Sequence, residues 1–196
     1  MHLWRPDMLS DIPPHILLTA HLDSWDISPS ISDNGSGVAA VVETARLLKQ
    51  TDVSFQVVLF DGEEIGLRGS NDYVKHNKLD AIRAAINFDI VGKPLKLAII
   101  GGIEGIKSEG MIDMPQAHTC VELFHTALKE INYVSDFIPF ARRSVPAVVT
   151  ISDLGFGRGR YYHSSYDTLE NFNPERARII ANLFCSLGFN MIVKFD

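Results

Sequence analysis

With 196 residues, 46% of them hydrophobic and 21% charged, the chain can bury a substantial core and reads as one domain spanning residues 1–196. Its 18 basic and 24 acidic residues leave a net charge of −6, and no basic cluster exceeds Arg142-Arg143, which argues against nucleic acid as a partner. No stretch approaches the roughly 18 apolar residues of a membrane span, so no membrane association is expected. Met1–Asp7 lacks the basic-then-apolar order of a secretory signal, so a cytoplasmic location is the expectation.

In chain order, the first strand is predicted over His15–Ala20. Asn34-Gly35-Ser36-Gly37 then opens a helix over Val38–Lys49. A second apolar run, Phe55–Phe60, ends at two adjacent glutamates, Glu63 and Glu64, and a helix is predicted over Ser70–His76. Strands follow over Ala84–Phe88 and Leu95–Ile100, with a glycine-bearing connection over Gly101–Gln116 and a helix over His118–Ile131. The last strand is Ala147–Ile151. The last helix is Pro174–Val193, capped by Asn173 with proline in the first turn. Cys120 and Cys185 fall in predicted helices without CxxC spacing and read as buried thiols. Alternating strands and helices predict a three-layer α/β/α sandwich around a mostly parallel mixed sheet.

The residues able to do chemistry gather just beyond the C-terminal ends of the predicted strands, where open α/β sheets build their sites. His21 and Asp23 follow the first strand on one side of an extended segment, so a carboxylate can stand behind a ligating imidazole; a capping aspartate beside a buried histidine is the other reading. Asp33 precedes a helix and is either an N-cap or a carboxylate with two oxygens to offer two cations. Glu63 and Glu64 repel each other, and one carboxylate on a metal with the other handling a proton explains the pair better than a solvated loop. Asp89, at an apolar strand end, needs a cation, either a metal or a basic side chain. His163 lies in a loop before the last helix, with Asp167 supporting that loop.

Taken in order, His21-Leu22-Asp23, Asp33-Asn34-Gly35-Ser36-Gly37, Phe60-Asp61-Gly62-Glu63-Glu64-Ile65-Gly66-Leu67-Arg68-Gly69-Ser70, Asn87-Phe88-Asp89-Ile90-Val91-Gly92 and His163-Ser164-Ser165-Tyr166-Asp167-Thr168 resemble the double-zinc aminopeptidase family. Its superfamily also holds glutamate carboxypeptidases and glutaminyl cyclase. The resemblance implies a phosphorylase/hydrolase-like zinc peptidase fold and two Zn2+ per chain, with Co2+ or Mn2+ as substitutes. Asp33 would bridge both ions, His21 and Asp89 would complete one, and Glu64 and His163 the other. Glu63 would be the general base, acting on a shared water, and Asp23 the partner of His21. The Asp33–Asn34 peptide would be cis. The implied substrate is a peptide with a free N-terminus, cleaved after its first residue.

The sequence departs from that family in three places. Only residues 1–14 precede the first predicted strand, so either the sheet is trimmed at its N-terminal edge or the chain is a piece of a longer one; an exposed sheet edge would favour a second copy of the chain. Phe137 in Ser135-Asp136-Phe137 stands where many relatives have histidine, so a hydrogen bond near the pocket is expected to be lost. The segment Gly101–Gln116 reads as a specificity loop or a surface connection. Arg142 and Arg143 either attract an acidic substrate or are simply solvated. A single-zinc glutaminyl cyclase is the nearest rival, but Asp33-Asn34-Gly35-Ser36-Gly37 and Glu63-Glu64-Ile65-Gly66-Leu67 fit the peptidases better. Dipeptidase or carboxypeptidase activity on the same metal core stays open. A non-catalytic binding module fits poorly, because all five ligands and Glu63 are present.

Overall fold

Seven consecutive buried residues, His15–His21, form β1. A strand without polar alternation belongs in the middle of a parallel sheet covered on both faces, and that is its place. The computed structural model describes residues 15–91, 97–100, 134–143, 145, 148–153, 161–172 and 174. Strand β2 (Phe55–Phe60) and strand β3 (Ile82–Phe88) flank β1, both parallel to it. Beyond β3 lie β5 (Val148–Asp153), again parallel, and then β4 (Leu97–Ile100), antiparallel to β5. The order is therefore β2-β1-β3-β5-β4, with β2 at one edge among the described residues.

Each face of the sheet carries its own core. On one face Ile16, Leu18, Ala20, Ala84, Ile86 and Phe88 pack against Ala40, Val41 and Leu48 of helix α1 (Ser36–Leu48). On the other, Leu17, Phe60 and Ala85 meet Val74 of helix α2 (Arg68–His76) and Phe137 and Phe140 of a short helix α3 (Phe137–Ala141). Helices on both faces of a mostly parallel mixed sheet make the expected three-layer sandwich.

The elements follow the predicted ones with instructive shifts. β2 has the predicted bounds, whereas β3 starts two residues before Ala84. α1 begins at Ser36 rather than Val38 because side chains supply its first turn: Asn34 Oδ1 accepts from Gly37 N–H at 3.0 Å, and Ser36 Oγ donates to the Ser32 carbonyl at 2.6 Å. No element is predicted for α3, whose Phe137 and Phe140 share one buried face. Its proline lies in the first turn, where a missing N–H costs nothing. Phe137 is core, so its place in the chain serves packing rather than the pocket. Arg142 and Arg143 are exposed just past α3.

The helices predicted over His118–Ile131 and, beyond Pro174, over Pro174–Val193 lie outside the described residues. So do Gly101–Gln116, Asn173, Cys120, Cys185 and residues 1–14.

Candidate metal centre

His21 is the last residue of β1, Glu63 and Glu64 follow β2, and Asp89 follows β3. Parallel strands end at the same side of a sheet, so these side chains share one end of the molecule. Asp33 reaches that end from an irregular turn, Ile31–Gly35, in which Asp33 and Asn34 leave helical geometry and the peptide between them is cis, as expected from the resemblance. The turn is fixed from behind by Asp167, a fully buried residue whose two carboxylate oxygens accept from Ser32 N–H at 2.8 Å and Asp33 N–H at 2.9 Å. Asp167 thus supports the Asp33 turn as well as its own loop.

Asn34 ties the turn to β3. Its amide donates to the Phe88 carbonyl at 2.9 Å, and its Oδ1 accepts from Gly37 N–H at 3.0 Å and Ile90 N–H at 3.1 Å. Ile90 holds a left-handed φ of 55°, which costs a β-branched residue roughly 1–3 kcal/mol. The bonds from Ile90 N–H to Asn34 and from Val91 N–H to Ser36 Oγ (2.9 Å) hold it there, and with it the preceding Asp89.

Asp33 stands at the centre of the cluster. Its Oδ1 lies 3.2 Å from His21 Nε2 and its Oδ2 lies 3.3 Å from His163 Nε2. Asp89 Oδ1 is 3.6 Å from the same nitrogen of His21, and Glu64 Oε2 is 2.9 Å from that of His163. The five expected ligands therefore come together in two groups that share Asp33. Asp23 lies beside His21 through both its main chain and its carboxylate. His21 Nδ1 is 3.0 Å from the main-chain carbonyl of Asp23 and 3.5 Å from its carboxylate. That carboxylate is already engaged, accepting from Glu63 N–H at 3.1 Å and Glu64 N–H at 3.0 Å. Asp23 thus orients the imidazole through its backbone and the glutamate pair through its side chain.

The turn carrying the glutamates needs glycine. Gly62 has a φ of +77°, and a Cβ on Gly69 would meet the Asp61 carbonyl at 2.6 Å.

Electrostatics in the cluster are far from ordinary. Burial, reinforced by the charge of Asp89, pushes the Glu63 carboxyl up to about 9. Burial and Asp33 push Glu64 up to about 7 against the pull of His163. Burial disfavours a charged His21, yet Asp33 and Asp89 outweigh it and push the imidazole up to about 12. His163 is likewise raised, by Asp33 and Glu64 against burial, while the two histidines hold Asp33 below its usual range despite burial. Protons thus balance an excess of crowded carboxylates, and a divalent cation would replace them.

The residues fit such a cation. Ligand atoms of His21, Asp33 and Glu64 lie within 4.8 Å of one another. Glu64 Oε1 is buried without a hydrogen bond, and His163 Nε2 makes no well-aligned hydrogen bond with either carboxylate beside it. Imidazole and carboxylate donors without thiolate suit zinc and similar divalent ions.

Three more residues neighbour the centre, and the two aromatic ones among them carry no signal in the sequence. Asp136 is fully buried beside Ser70, and burial raises its carboxyl to about 6. It follows Ser135, whose Oγ accepts from Asn87 at 2.8 Å in a buried chain that continues to Thr19. Trp25 and Tyr162 both stack on His163. An aromatic residue in a loop has no period or spacing to mark it, and only tertiary contact reveals its neighbour.

An α/β/α sandwich with a histidine–carboxylate cluster at the C-terminal end of its parallel strands fits a protein built around a divalent-metal site. The sequence matches Peptidase family M28 over residues 8–188, and the chain belongs to that family. It is 27% identical over 205 residues to Aminopeptidase YwaD of Bacillus subtilis, covering 93% of this chain and 42% of that one. It is 31% identical over 191 residues to the probable leucine aminopeptidase 2 of Aspergillus fumigatus, covering 82% and 38%. Among solved structures, a zinc aminopeptidase from Bacillus subtilis superposes with a TM-score of 0.65 at 26% identity, over 89% of this chain and 45% of that one. An Acidobacteriales bacterium glutaminyl cyclase shares the fold, with a TM-score of 0.69 at 24% identity over 92% and 70%. The chain spans less than half the length of the two aminopeptidase relatives named here.

Proposed function

We propose that this chain is a zinc-dependent aminopeptidase that binds two ions and hydrolyses the first residue from peptides. The observation that carries the reading is Asp33, whose two oxygens face different histidines at 3.2 and 3.3 Å. One bidentate carboxylate between two nitrogen donors matches the 3.5–4 Å spacing, roughly, of paired ions in hydrolases. His21 and Asp89 then serve one ion, and His163 and Glu64 the other. The names of the relatives support the reaction class.

When bound, the ions supply Lewis acidity, acidifying water and polarising the peptide carbonyl. Glu63 provides the proton path. It lies within the field of Asp89 and His21 and is absent from the ion-pair contacts of the cluster, which leaves its carboxylate to accept a proton from the attacking water and return it to the leaving amine. Asp23 holds the backbone of Glu63 and Glu64 at the required angle. The acidic lining favours a positively charged substrate amino terminus, which confines cleavage to the first residue.

The test is zinc content by mass spectrometry together with hydrolysis of aminoacyl-anilides by wild type and Glu63→Gln. Two zinc ions are expected in both proteins, with activity about 10²–10⁴-fold lower in the variant. An active Glu63→Gln protein would exclude Glu63 as the base. Equal cleavage of an N-acetylated anilide would exclude an aminopeptidase, and one zinc with cyclisation of N-terminal glutamine in place of hydrolysis would favour the cyclase.

A further inference from the structure

The two histidines of the cluster are oriented by different means. His21 has a hydrogen-bond partner for its second nitrogen, the Asp23 carbonyl at 3.0 Å, the usual device for fixing a ligating imidazole. Among the described residues no hydrogen bond reaches Nδ1 of His163, whose polar contacts all run through Nε2. Its ring is gripped by aromatic faces instead. Trp25 stacks on it with centroids 4.5 Å apart and planes within 3° of parallel, and Tyr162 stacks at 3.7 Å and 21°. Two rings this close cannot share one face of an imidazole, so they flank it.

The flanking rings have different origins. Tyr162 is the chain neighbour of His163 and moves with it. Trp25 comes from the loop after β1, which also carries Asp23, and is the independent surface against which the imidazole can be set. Its side of the stack is not core: Trp25 remains 43% exposed.

We propose that Trp25 is a positioning residue for the ion on the His163–Glu64 side. Its indole face, closing on Tyr162, sets the rotation of His163 about its side-chain bonds and keeps Nε2 aimed between Asp33 Oδ2 and Glu64 Oε2. This rests on the two-ion reading given above. It makes an asymmetric demand, because the His21–Asp89 side has its own hydrogen-bonded support and does not need Trp25.

The experiment measures stepwise zinc affinities by competition with a chromophoric chelator for wild type, Trp25→Leu, Trp25→Phe and His163→Ala. Metal-free melting curves confirm that each variant folds. Leucine keeps bulk and apolarity but loses the flat face; phenylalanine keeps the face. Trp25→Leu is expected to weaken one zinc by about 10–100-fold, the scale for losing a supporting partner of a ligand. The ion affected should be the one missing in His163→Ala, with the other unchanged, and Trp25→Phe should restore most of the affinity. If Trp25→Leu does not fold, Trp25→Gln serves in its place with the same expectation. Two tight ions in a folded Trp25→Leu protein would overturn the positioning role and leave the two-ion reading intact, as would equal weakening of both. A wild type that takes up one ion or none would remove the two-ion reading and the proposal with it.

Discussion

Asp33 and Asn34 are neighbours, both buried, with opposite tasks. Asp33 sends its carboxylate to the two histidines, while Asn34 spends its amide on three backbone groups: the carbonyl of Phe88 and the N–H groups of Gly37 and Ile90. The sequence leaves open whether Asp33 caps the helix or binds a cation; in the structure it is Asn34, not Asp33, whose side chain accepts from the helix's Gly37 N–H. Asp23 is a second case of one residue used twice. Replacing it by Asn leaves one acceptor for two N–H donors, so one of Glu63 and Glu64 N–H goes unsatisfied at about 1–3 kcal/mol. Asp23→Asn is therefore expected to melt earlier and to lose catalytic efficiency; an unchanged melting curve and kcat/KM would remove its bracing role. The His21–Asp23 spacing marks the pair as partners. That the backbone carbonyl comes closer to the ring (3.0 Å) than the carboxylate does (3.5 Å) was not legible, because spacing carries no information about side-chain rotation.

At the scale of elements, the site depends on how closely α1 approaches the end of β3. A Cβ on Gly37 would run into Asn34 Oδ1 and the Phe88 carbonyl, and because the Asn34 amide N–H donates to that same carbonyl, neither has much room to give. Gly37→Ala is expected to cost about 1–3 kcal/mol of stability. It should also weaken metal binding, because the displaced groups hold Asp33 on one side and Asp89 on the other. Differential scanning calorimetry of the metal-free protein, paired with zinc titration, checks both parts; lost stability with intact zinc affinity would uncouple the helix start from the site. The elements themselves were largely legible. Buried parallel strands announce themselves as continuous apolar runs, and the bounds of β2 needed no correction. α3 was not, since five residues with an internal proline offer too short a period, and its phenylalanines acquire a face only by packing on the sheet.

For the whole molecule, the perturbed groups predict how stability depends on pH without metal. Glu63 (up to about 9), Glu64 (up to about 7) and His21 (up to about 12) all keep in the fold a proton that the unfolded chain releases nearer 4.5 or 6.5. Each contributes stability fully present below its unfolded value and lost as pH rises toward its folded one. Asp33, shifted the other way, matters only in acid, where its contribution disappears as pH falls. The melting temperature of metal-free protein should therefore decline from about pH 5 to pH 9. Zinc binding must release these protons, so the gain in melting temperature on adding zinc should widen over the same range. A flat metal-free profile would mean that the cluster is not coupled to folding. The sequence by itself determined the layers, the mostly parallel sheet and the candidate chemical groups, because apolar periodicity and the strand-end placement of carboxylates and histidines are local properties of the chain. Only the tertiary structure decided which oxygen faces which nitrogen, that Asp167 reaches back to the Asp33 turn, and that Trp25 lies flat on His163. Those facts arise when segments far apart in sequence are packed to contact distance, and no local pattern encodes that approach.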